Sequence, residues 1–179
     1  SGWDLASIEP AGFPAVRQSV LLALAELDAI SDVDLVREQR AALLDPSAPD
    51  PSIEAVLHAL VPFRFVAHTH ADAIVTLTNQ PDGEARVRVV FGGRVLIVPY
   101  VMPGFVLAKQ IRAQTRDLDW SALDGIVLMN HGIFTFAHEA KESYERMVTL
   151  VDRAEKGLMA KGAWSAPAPG ATSSAPAAI

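Results

Sequence analysis

The sequence lacks cysteine, long apolar runs and an excess of positive charge, and each shortage removes a class of function. Without cysteine there is no disulfide framework and no thiolate metal ligand. No apolar stretch approaches the ~20 residues needed to span a bilayer, and no secretory leader pattern opens the chain. Lys and Arg number 15 against 21 Asp and Glu, a net charge of −6. Nucleic acids and anionic membranes select basic surfaces, so neither is the expected partner. An anionic small substrate would need a local positive site, such as a metal or a helix N-terminus. The sequence has no GxGxxG, no Walker loop and no GxSxG, and Gly92-Gly93 reads as a turn. Cytosolic residence fits this profile.

What remains is an ordinary globular composition, half hydrophobic and a fifth charged, in 179 residues. One domain with a sizeable core is expected. The chain opens Ser1-Gly2-Trp3 without a methionine, as a processed product or a fragment would. Helices are expected over 20–30 and 32–44. After the Pro-rich break at 45–51, Asp50 suits an N-cap and Pro51 a first helical position, which predicts a helix to Leu60. Strands are expected over 63–70, 95–98, 126–129 and 133–136, with a short helix over 71–78 and another over 106–116. The Val/Arg alternation of 84–91 fits either a helix or a strand. The final helix, 139–161, places Tyr144, Met147, Val148, Val151, Ala154 and Leu158 on one apolar face. Residues 1–161 form the expected domain. Residues 162–179, rich in Ala, Pro and Ser, cannot offset their ordering entropy by burial and are expected to be disordered. Short strands alternating with helices predict an α/β sheet covered by helices.

The chemistry concentrates in His68-Thr69-His70, at the end of the apolar run 63–67. Residues two apart on a strand share a face, about 6–7 Å apart at Cα, so both imidazoles can reach one divalent metal. His131, in a second strand-then-turn run, offers a third ring. Three neutral imidazoles leave an open position, as catalytic zinc sites do. A solvent-facing HxH and a His131 bonded to a backbone carbonyl are the structural alternatives. Glu54 stands where a helix start would return it toward the metal, as general base or displaceable ligand. It also suits mere compensation of a helix dipole. Ser52, at the same helix start, could help cradle a phosphate. His58 reads as a core or supporting histidine, and His138 as exposed.

Taken together, Pro51-Ser52-Ile53-Glu54, Val66-Ala67-His68-Thr69-His70 and Met129-Asn130-His131-Gly132 resemble the class II aldolase/adducin family. Ser1 to Ala6, Thr76 to Asn79, 98–104 and 130–136 are similar, more narrowly, to the aldolase half of bifunctional rhamnulose-phosphate aldolase/short-chain dehydrogenase proteins. The resemblance implies a three-layer α/β/α sandwich on a mixed, largely antiparallel sheet, assembled as a homotetramer, with N-terminal elements of the family missing. It implies zinc on His68, His70 and His131, and Glu54 as the acid/base residue. Ser52 would match the phosphate-binding loops, together with Ser1 and Gly2. The implied reaction is retro-aldol cleavage of a ketose 1-phosphate to dihydroxyacetone phosphate and an aldehyde. Ile53 departs from the family, many members of which carry a second serine there, and the dehydrogenase half is absent. An epimerase or dehydratase of the same family, a non-catalytic adducin-like remnant and a purely structural zinc stay open at this point.

Overall fold

The computed structural model describes residues 3, 4 and 6–163; Ser1, Gly2 and 164–179, on which two phosphate contacts and the tail were expected, lie outside them. Four strands form one sheet in the order β1-β4-β3-β2: β1 (Phe65–Thr69), β2 (Val95–Val98), β3 (Gly125–Leu128) and β4 (Gly132–Ala137). β1 and β3 both run antiparallel to β4, and β2 lies parallel to β3. The sheet is therefore mixed and mainly antiparallel.

Strand alternation splits the core into two layers. Ile126, Leu128, Phe134 and Phe136 bury on one face, beneath α1 (Gln18–Glu26), α2 (Asp32–Ala41), α3 (Ala55–Leu60) and α6 (Phe105–Thr115). Val127 and Ile133 bury on the other, against α4 (Asp72–Thr78), α5 (Gly83–Phe91) and α7 (Ala140–Met159). Helices on both faces make this a three-layer α/β/α sandwich. The ambiguous 84–91 segment is helical because Val87 and Phe91, four apart, both sink into this second layer.

Two expectations are corrected. The helix expected from Pro51 begins at Ala55 instead. Ser52 diverts it: its Oγ accepts the Glu54 N–H at 3.2 Å, its carbonyl accepts the Ala55 N–H, and the Gln39 amide of α2 reaches that carbonyl too. Serine side chains offer the backbone such turns in competition with a helix. The buried stripe of α7 is Ser143, Met147, Leu150, Ala154 and Leu158, while Tyr144 and Val148 face solvent. Met147, Ala154 and Leu158 bury as expected, and the margin shifts toward Ser143 and Leu150, where Arg146 donates to the Phe136 carbonyl and Thr135 and Ser143 exchange hydrogen bonds. At its end Gly162, at φ 66°, turns the chain so that the Ala163 N–H reaches the Leu158 carbonyl.

Candidate metal centre

β1 ends where β3 turns into β4, so both histidine-bearing segments meet at one end of the sheet. His68 pairs with Phe134 in register, and the two rings stack with centroids 4.0 Å apart. Its Nδ1 lies 3.1 Å from the Ile133 carbonyl. A neutral imidazole donates there from Nδ1, which leaves Nε2 with a free lone pair, the arrangement that orients ligating histidines. His70 shares that face, as period-two alternation requires, with its Nε2 2.9 Å from that of His68.

His131 arrives from the turn between β3 and β4. Asn130 before it holds φ at 58°, a left-handed conformation that asparagine tolerates better than most residues. Gly132 after it packs against the same rings. A Cβ there would meet the Thr69 carbonyl oxygen at 2.5 Å and the His70 and His68 rings at 3.0 and 3.1 Å. His131 Nε2 ends 3.1 Å from His70 Nε2.

Glu54 caps α3 by position but makes no side-chain cap bond, so dipole compensation is not what holds its carboxylate. It turns into the histidine cluster: Oε1 lies 3.0 Å from His131 Nε2 and Oε2 3.4 Å from His68 Nε2. The ligand-capable atoms of Glu54, His68, His70 and His131 all lie within 4.8 Å of one another. Burial alone would push the pKa of Glu54 up. The closeness of His131 and His68 more than offsets this and holds the carboxyl well below its usual range. Burial first, then the neighbouring His68 and His131, push His70 down from the ordinary imidazole value.

The donor set fits a divalent cation. Glu54 Oε1 is buried yet has no hydrogen-bond partner of acceptable geometry, despite the nearby His131 nitrogen. Buried carboxylate oxygens are rarely left so, and a cation among one oxygen and three nitrogens satisfies them together.

Of the other residues singled out from sequence, Ser52 and His58 flank Glu54 in sequence, while His138 lies at the far end of the β1–β4 pair. Ser52 is exposed on the loop before α3, not at a helix N-terminus. His58 packs edge-on to Phe134, 5.1 Å between centroids, and burial holds it below the ordinary imidazole value. His138 is exposed beside Phe63. From sequence, Asn130 and Gly132 are no more than parts of a turn. The signal that could have found them is the flanking of His131 by a residue that tolerates left-handed backbone and one without a side chain.

Comparison with known proteins agrees with this architecture. A model of the class II aldolase and adducin N-terminal domain matches residues 3–157. The N-terminal class II aldolase domain of a conserved Thermoplasma acidophilum protein is 38% identical with a TM-score of 0.78, over 87% of this chain and 71% of that one. An aldolase II superfamily protein from Pseudomonas syringae, 21% identical over 69% of this chain and 52% of its own, shares the fold with a TM-score of 0.55. An uncharacterized oxidoreductase of Bacillus subtilis (strain 168), YuxG, is 30% identical over 156 residues, which is 87% of this chain but 22% of that protein. With the match covering nearly all of the described fold, the chain belongs to the class II aldolase and adducin family.

Proposed function

We propose that this domain is a metal-dependent aldolase that cleaves a ketose 1-phosphate, such as rhamnulose 1-phosphate, into dihydroxyacetone phosphate and an aldehyde. The observation that carries this reading is the buried, unpartnered Glu54 oxygen facing three imidazole nitrogens. His68, His70 and His131 would hold the cation, for which zinc is proposed from the imidazole-rich set. When bound, such an ion supplies Lewis acidity toward carbonyl and hydroxyl oxygens.

The protein residues supply orientation and proton movement. A retro-aldol cleavage removes a proton from the hydroxyl on the carbon that becomes the aldehyde. It returns one to the carbon that becomes part of dihydroxyacetone phosphate. Glu54 is the proposed proton carrier: it is ionised at neutral pH and stands at the cluster's edge. Ser52, exposed two residues away, is proposed to contact the phosphate with Ser1 and Gly2. We further propose a cytoplasmic homotetramer. The 22% coverage of the Bacillus oxidoreductase supports a role as the aldolase part of a longer, two-activity protein. A non-catalytic role finds no support in a cluster that keeps all four metal-capable side chains.

The test is release of dihydroxyacetone phosphate from rhamnulose 1-phosphate by the purified chain. Glu54→Gln is expected to keep its metal and lose about 10²–10⁴ in rate, the range of a positioned acid/base group. An unchanged rate in that variant contradicts the assignment.

A further inference from the structure

The turn that carries His131 is braced from outside the cluster. α4 begins two residues after His70 and ends at Thr78, with Asn79 as its C-cap. Across a sequence separation of 51, the Asn130 side-chain amide donates to the Asn79 side-chain carbonyl at 2.5 Å. A second contact lies beside it. Met129 packs so closely on the start of α5 that a Cβ on Gly83 would meet its Cε at 3.2 Å. The β3–β4 turn therefore rests on the α4–α5 connection at two points, and α4 is the continuation of the segment bearing His68 and His70.

We propose that the Asn79–Asn130 bridge is a bracket that sets His131 relative to His68 and His70, making both asparagines positioning residues of the metal centre. Neither amide is needed for the core, since both residues are exposed. Asn130 is coupled to the ligand through one peptide: its left-handed φ aims the following imidazole, and its side chain fixes that turn to α4. Groups that orient metal ligands in this way influence affinity by roughly 10–100-fold.

Because the bracket rests on reading the four side chains as a metal centre, the test separates the two. Cobalt(II) is titrated into chelator-stripped protein, and its visible absorption and affinity are read directly, without substrate. Asn79→Ala and Asn130→Gly are expected to weaken cobalt affinity about tenfold, the lower end of that range, and to alter the visible bands. Asn130→Gly permits the positive φ and so isolates the loss of the amide. Asn79→Asp keeps an acceptor and is expected to retain wild-type affinity, whereas Asn130→Asp sets acceptor against acceptor and is expected to fail. All four should keep the helical circular dichroism of the wild type. Wild-type spectra and affinity in Asn79→Ala and Asn130→Gly overturn the bracket alone, as does an Asn79→Asp as impaired as Asn79→Ala. A wild type that takes up no cobalt overturns the metal centre and the bracket with it.

Discussion

Gly132 has no room for a methyl group, and that single fact links the backbone to the candidate metal centre. Its would-be Cβ faces a carbonyl oxygen, which cannot swing away, and the His68 and His70 rings, which can move only by leaving the cluster. Gly132→Ala is expected to cost about 1–3 kcal/mol, as overpacking does, and to weaken metal binding more than it lowers the thermal midpoint. Equal metal affinity in this variant and the wild type would contradict the close approach. The contrast with His68 and His70 explains what a sequence shows at this scale. Their common face follows from strand periodicity, a local rule. The need for glycine at 132 arises from β1, a strand 63 residues earlier in the chain, and no local pattern reports it.

At the scale of elements, the strands and most helices could be read from apolar spacing, while the ends and the margins of the buried faces could not. Asp50 and Pro51 look like a helix opening, yet α3 starts only at Ala55, because Ser52 and the distant Gln39 hold residues 52–55 in a turn. That displacement puts Glu54 at the helix entry with its carboxylate free to reach the histidines. The expected face of α7 holds at Met147, Val151, Ala154 and Leu158, while Tyr144 and Val148 at its margin face solvent and Ser143 and Leu150 bury instead. Its inward face includes Leu150, which is 1% exposed and lies close against Gly125 of β3. Leu150→Ala is expected to destabilise the protein by about 2–5 kcal/mol in urea denaturation, the range for truncating a buried leucine. A loss below about 1 kcal/mol, as for a half-exposed side chain, would contradict the observed burial of Leu150.

At the scale of the whole molecule, two helical layers and one sheet bring sequence positions 54, 68, 70 and 131 to a common point. The family resemblance anticipated the layering; the residues alone suggested only that helices cover a sheet. The histidines also set how stability responds to acid. His58 and His70 are held below the ordinary imidazole value when folded, so below about pH 6.5 the unfolded chain takes up protons that the folded chain refuses. Metal-free protein should therefore lose stability as pH falls from 7.5 to 5.5, and His58→Gln should flatten part of that slope. Glu54 adds to the loss at lower pH, because its depressed value contributes stability that disappears as pH drops below about 4.5. Stability that is level or rises toward pH 5.5 would contradict this.

The most direct test of the metal centre is elemental analysis of protein purified from metal-replete cells, alongside Glu54→Gln and His70→Ala. About one divalent ion per chain is expected in the wild type and in Glu54→Gln, from the three-imidazole ligand set, with little or none in His70→Ala. Background metal in the wild type, or equal metal in His70→Ala, would contradict it.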